Sequence, residues 1–198
     1  NGKPFPFFYG FKTAGIIQNQ AEADEYNAKY PYGQNGNYFA NAVPGDVRFV
    51  DVDGDDAITE NDRTDIGKGM PDWTYGINLT AEWKGLALSA LFQGTIGNKI
   101  YDATRRTDAL NSNLPGWMRG RWTGEGTSDR IPRFVRADNR NWVSSDLLVY
   151  DGEYFRLKNI MLSYTLPRQI TRKVAVENFR VYVSAENLFT CTKYHGFD

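Results

Sequence analysis

Polar and apolar residues alternate without a break from Trp73 to Trp83. Trp73, Tyr75, Ile77, Leu79, Ala81 and Trp83 take one phase, and Thr74, Gly76, Asn78, Thr80 and Glu82 take the other. Side chains of a strand project alternately to two faces, so the run predicts a strand with one apolar and one polar face. Lys84-Gly85 supplies a two-residue hairpin turn, and on the return strand Leu86, Leu88, Ala90 and Phe92 alternate with Ala87, Ser89, Leu91 and Gln93. A second pair follows. In YFRLKNIMLSYTLP (154 to 167) Ile160, Leu162, Tyr164 and Leu166 share a face, with a change of phase near Lys158-Asn159. In NFRVYVSAENLF (178 to 189) Phe179, Val181, Val183 and Ala185 alternate with Arg180, Tyr182, Ser184 and Glu186.

Elsewhere, FPFFYGFKTAGII (5 to 17) reads as one or two short strands, and AEADEYNAK (21 to 29) is the one clear helix-like stretch. A Gly, Asn and Pro loop then leads to VRFVDV. The predicted organisation is a loop region over 1–71 with an acidic loop at 51–62, a hairpin over 72–97, a long loop over 98–151 and a second hairpin over 152–190. The first strand has the ~9 to 11 residues that cross a bilayer at a tilt. Trp73, Tyr75 and Trp83 stand near its two ends as girdle rings would. A soluble sandwich strand with one face in a core has the same alternation. The connections are unequal: Lys84-Gly85 and residues 167 to 177 at one end, more than fifty residues at the other. Outer-membrane barrels show this asymmetry, with short periplasmic turns and long extracellular loops. The expected fold class is all-β: antiparallel strands of a partial transmembrane β-barrel with long extracellular loops, the acidic loop among them.

Composition narrows the partners. Lys plus Arg number 23 against 24 Asp plus Glu, a balance that gives no general attraction for nucleic acid. Aromatic content of 15% and 19 glycines favour a turn-rich β chain, and Cys191, alone, cannot close an internal disulfide. No run approaches the ~18 apolar residues of a membrane helix. The mean hydropathy of -0.55 leaves a barrel open, because a barrel shows lipid only every second residue.

In DVDGDDAITEND, Asp51, Asp53 and Asp55 fall at the first, third and fifth positions of a calcium-loop pattern. Ala57 offers a carbonyl at the seventh, Thr59 stands at the ninth and Asp62 at the twelfth. Hard oxygens at this spacing suit Ca²⁺. Asp56 replaces the usual Gly and Asp62 the usual Glu, so an affinity below that of an intracellular sensor is expected. The other reading is a solvated acidic turn. In the long loop, Trp117, Arg119 and Trp122 are candidates to contact a sugar or a partner surface, although loop rings also pack on their own loop. Acidic residues interrupt the basic ones there, Asp108, Glu125, Asp129 and Asp138 among them, which argues against nucleic acid. His195 and Cys191 have no nucleophile or metal partners in sequence, and no acid and base pair stands out, so no enzyme is expected.

The order PGDVRFVDVDGDDAITENDRTDIGKGMPDWTYGINLTAEWKGLALSALFQGTIGN, RWT, YDGEYFRLKNIMLSYTLP and RVYVSAENLFTCTKYHGFD resembles the C-terminal barrel portion of SusC/RagA-type TonB-dependent outer-membrane transporters. The opening FFYGFKTAGIIQNQAE resembles the same family's preceding segment. The resemblance implies a barrel of about 22 strands around a plug. It also implies energy from TonB, a SusD-like lipoprotein as a lid, oligosaccharide or peptide substrates, and a place in the bacterial outer membrane. It puts the plug, the TonB-contacting segment and the last strand or strands outside this sequence. The alternative from another class is a secreted calcium-dependent β-sandwich, carbohydrate-binding or adhesive.

Overall fold

The computed structural model describes residues 2–37, 39–104, 116–135, 140–174 and 176–196. The chain divides into two compact units, one of residues 1–69 with 100–150 and one of 70–99 with 151–198.

The first unit holds β1 (Phe7–Gly10), β2 (Thr13–Ile16), α1 (Gln20–Lys29), β3 (Val47–Phe49) and β4 (Thr64–Lys68). β1 pairs antiparallel with β4, and β2 with β3. The predicted helix is present: the Asn19 side chain caps it by accepting from the Glu22 N–H at 3.0 Å, and its inward residues are Ala23 and Tyr26, three apart. β4 was not legible in the sequence, because TDIGK has one large apolar residue and no usable alternation. Phe11, Ile17, Val47, Phe49, Ile58, Met118 and Leu148 form a core that joins the chain before the acidic loop to the long excursion. Gly10 lets two backbones meet there: a Cβ would lie 2.5 Å from the Ser144 carbonyl oxygen.

The second unit is built on a four-stranded antiparallel sheet in the order β10 (Arg180–Thr192), β9 (Tyr154–Thr165), β6 (Leu86–Ile96), β5 (Trp73–Trp83). Short strands β7 (Lys99–Tyr101) and β8 (Val149–Asp151) also pair, at the two ends of the long excursion. The sheet begins with the predicted hairpin. Lys84 and Gly85 take φ of 48° and 88°, the left-handed pair that a two-residue turn between twisted strands requires. A bulge at Lys158 sets Leu157 opposite Phe92 and Asn159 opposite Leu91, where the change of phase was predicted. β10 answers with Asn187, at φ 49°, in a bulge between Glu186 and Phe189. The bulges keep the faces consistent. Leu79, Ala90, Ile160 and Ala185 form one cross-strand row, as do Ala81, Leu88, Leu162 and Val183. Between them, on the opposite face, run Thr80, Ser89, Met161 and Ser184. A short helix, α2 (Arg168–Thr171), fills the connection from β9 to β10. Four residues cannot establish a helical period, so it escaped the sequence reading.

Candidate functional site

Three regions carry the candidate residues: the acidic loop, the aromatic part of the long excursion, and the two faces of the sheet.

In the acidic loop, carboxylate oxygens of Asp51, Asp53 and Asp55 lie within 4.8 Å of one another. The backbone wraps around them. Asp51 accepts from the N–H groups of Gly54 (2.6 Å) and Asp56 (3.1 Å), and Asp55 accepts from the Ala57 N–H at 2.9 Å. Asp56 takes φ 59°, the left-handed conformation for which the loop pattern uses Gly at this position, and one that Asp tolerates. Partial desolvation first, and then the neighbouring Asp55, Asp62 and Asp51 charges, push the exposed Asp53 carboxyl above the ordinary carboxylate range. Asp62 serves differently. Fully buried, it accepts from the Val52 N–H at 2.6 Å on one oxygen and from the Thr59 N–H at 2.7 Å on the other. Thr59 caps the 3-10 turn Glu60–Asp62 by accepting from the Asn61 N–H at 3.1 Å. Among the described residues the carboxylates that cluster are thus Asp51, Asp53 and Asp55. Ala57 is buried beneath them, and Thr59 and Asp62 hold the loop's closing turn.

The long excursion uses its rings internally. Trp117 packs edge-on to Trp142 at 5.6 Å, and Trp122 donates its indole N–H to Gln18 at 3.2 Å. Both rings lean on the first unit's core. Trp122 also covers Gly45, whose φ of 91° and lack of a Cβ make room for it. Arg119 is exposed. A cleft of about 380 Å³ opens nearby, lined by Thr13, Gly15, Asp129, Arg130 and Asp146. Asp146 accepts from the Thr13 hydroxyl at 2.6 Å, and the Arg130 guanidinium lies 4.8 Å from the centre of the Tyr150 ring.

A buried polar centre was missed in the sequence. Asp46 is 2% exposed and accepts from Arg133 Nε at 2.6 Å, Asn141 Nδ2 at 3.0 Å and the Val43 N–H at 3.0 Å. Asn141, also buried, accepts from the Val47 N–H at 2.8 Å. Arg140 lies over the rings of Phe39, Tyr26 and Phe49 at 5.5 to 5.8 Å. These partners are far apart in sequence, and no spacing rule connects them.

The sheet is the third region. Its apolar face is open: Leu79 is 56% exposed and Val183 70%. At one end of that face stand Trp83 and Tyr164. At the other, Phe155 lies parallel to Phe92 at 5.5 Å and Tyr75 lies 6.5 Å from Phe155. The opposite face carries polar contacts such as Arg180 to the Ser163 hydroxyl at 2.7 Å and Arg156 to the Thr190 hydroxyl at 2.9 Å. Within this unit no described residue covers the apolar side, as the second sheet of a sandwich would.

No family model matches the chain. It is 32% identical over 200 residues to TonB-dependent receptor P3 of Formosa agariphila, a match that takes in all of this chain and 19% of that protein. It is 24% identical to TonB-dependent receptor SusC of Bacteroides thetaiotaomicron over 87% of this chain and 17% of the relative. Its fold superposes on a chain of the RagAB peptide transporter with a TM-score of 0.67 and 26% identity, covering 97% of this chain and 20% of that one. The chain belongs to the SusC/RagA-type TonB-dependent transporters. It spans about a fifth of the length of the relatives it matches. In this SusC/RagA-type chain the four-stranded sheet is a portion of transmembrane barrel wall, and its alternation is that of a wall with lipid on one side and a polar interior on the other. The relatives named here are receptors and transporters.

Proposed function

We propose that this chain supplies barrel wall and extracellular loops to an outer-membrane, TonB-dependent importer of glycans or peptides that works with a SusD-like surface lipoprotein. The observation that carries this reading is the apolar face, continuous across four strands, exposed at its middle and bounded by rings at both ends. The chain enters β5, leaves β6 and re-enters β9 at one end of the sheet, while the short connections close the other. The first end is therefore taken as extracellular, which puts the acidic loop, Trp117, Arg119 and Trp122 at the cell surface. Contact with TonB falls to a part of the protein outside this sequence. A peptide cargo draws support from the RagAB relative, named as a peptide transporter.

The acidic loop takes Ca²⁺ in this reading. Asp51, Asp53 and Asp55 give the charged oxygens and the Ala57 carbonyl a neutral one. Thr59 and Asp62 set the turn that aims them. Such a cation pins an outer loop where millimolar extracellular Ca²⁺ fills a modest site.

The test is a deletion of the full-length gene, complemented by the wild type, with uptake of labelled peptide and oligosaccharide pools measured alongside membrane fractionation. Outer-membrane recovery and loss of uptake of one pool on deletion are expected. Recovery in the soluble fraction would overturn the reading.

A further inference from the structure

We propose that the short-turn end of the sheet binds the headgroup of a phosphatidylethanolamine, with its phosphate on Arg168 and Arg172 and its ammonium on Glu177. This rests on the barrel reading above. The connection from β9 to β10 leaves and rejoins the sheet at Leu166 and Phe179, where the Leu166 N–H donates to the Phe179 carbonyl at 2.9 Å. Both residues continue the phase of the apolar face, one position beyond the Thr165 and Arg180 pair. Between them the chain folds α2 and a further turn over Arg172–Val174.

Arg168 and Arg172 are one helical turn apart, and Arg172 keeps helical backbone angles (φ -60°, ψ -28°). Their side chains therefore leave the same side, about 5 to 6 Å apart at Cβ. Together with Val176 and Glu177 they line a cleft of about 330 Å³. Neither guanidinium has a carboxylate partner among the described residues. The surroundings are those of a membrane boundary. Trp83, 69% exposed, ends the apolar face, with the Lys84 ammonium 4.9 Å from its ring centre. The Lys84-Gly85 turn is bonded to the same strand end, the Thr165 N–H donating to the Gly85 carbonyl at 2.8 Å. Ile170, 55% exposed, offers an apolar contact beside the two arginines.

The cleft holds two cations and one anion. A phosphodiester takes a fork of guanidinium donors well, and a free carboxylate alongside selects a headgroup that also carries an ammonium. A phosphate-only headgroup satisfies the arginines and leaves Glu177 opposed by like charge. A trimethylated amine cannot donate a hydrogen bond to Glu177.

The full-length transporter, reconstituted with equal parts phosphatidylethanolamine and phosphatidylglycerol and then released for native mass spectrometry, tests this. The wild type should retain phosphatidylethanolamine over phosphatidylglycerol by about tenfold. R168Q/R172Q should lose both lipids, and E177Q should keep bound phospholipid but lose the preference. Unchanged retention in the arginine variant, or an unchanged preference in E177Q, would overturn the proposal. So would displacement of the lipid by an equimolar amount of free phosphoethanolamine, which would mark a site for a soluble phosphate. Heat-dependent gel mobility checks that each variant is a folded barrel. A folded membrane barrel indifferent to these lipids defeats this inference alone, whereas a protein absent from the membrane defeats the barrel reading with it.

Discussion

Leu79→Arg and Thr80→Arg place the same charge on adjacent residues of β5 and on opposite faces of the sheet. Leu79 is six positions from Trp73 and four from Trp83. At ~3.3 Å per residue it lies roughly 20 Å and 13 Å along the strand from the two ring ends, close to the middle of the band. A strand of that length tilted by ~40° spans roughly 25 Å, the height of the apolar band of a barrel. Arginine near the midplane on the lipid side costs ~2 to 4 kcal/mol. The Thr80 row, with Ser89, Met161 and Ser184, faces the interior, where a guanidinium finds water and hydroxyl groups. The two variants should thus differ by about 2 to 4 kcal/mol, or roughly 30- to 900-fold in folding equilibrium. The assay is urea-dependent folding of the full-length variants into lipid vesicles, read by heat-dependent gel mobility. Equal destabilisation, or a greater effect at Thr80, would show that the faces are assigned the wrong way round.

Calorimetry of the full-length protein should detect Ca²⁺ binding at millimolar ion that Asp53→Ala abolishes; Asp62→Ala should instead destabilise the loop, by about 1 to 3 kcal/mol for each backbone N–H left without its acceptor. Tyr26 is buried, which pushes its phenol up to about 12, with the nearby Arg140 charge only partly offsetting the effect. A folded-state value above the ordinary 10 means that stability is whole below pH 10 and is lost as pH rises towards 12, by about 2 to 3 kcal/mol. Tyr26→Phe should remove that alkaline loss in a pH series of thermal melts. Asp46→Ala strands Arg133, Asn141 and the Val43 N–H, so it should cost about 3 to 5 kcal/mol and raise proteolytic cleavage of the first unit.

What the sequence disclosed was whatever obeys a short period. The hairpin from Trp73 to Ile96 follows from alternation and one turn, and even the Lys158 bulge betrays itself as a break in phase. β4 and α2 are too short to show any period. In the acidic loop, spacing brought Asp51, Asp53 and Asp55 together, but it could not reveal that Asp62 turns inward to two backbone amides. That depends on how the loop closes. The Trp117 and Trp122 rings were visible as residues, yet their partners Trp142 and Gln18 are distant in the chain. Asp46 was invisible for the same reason, since Arg133 and Asn141 lie 87 and 95 residues away.

The Asp46 centre also fixes an order of events. Asp46 and the Val43 N–H lie before the first hairpin, but Arg133 and Asn141 lie after it, so the carboxylate lacks its side-chain donors until β5 and β6 have passed. Closing so long a loop is slow compared with forming a hairpin. As the protein is made, the first segment must remain incomplete, its core around Phe11, Val47 and Phe49 lacking Trp142, Leu147 and Leu148, until the chain returns beyond Arg133. The first unit is therefore a late assembly, and for that interval its apolar residues need protection.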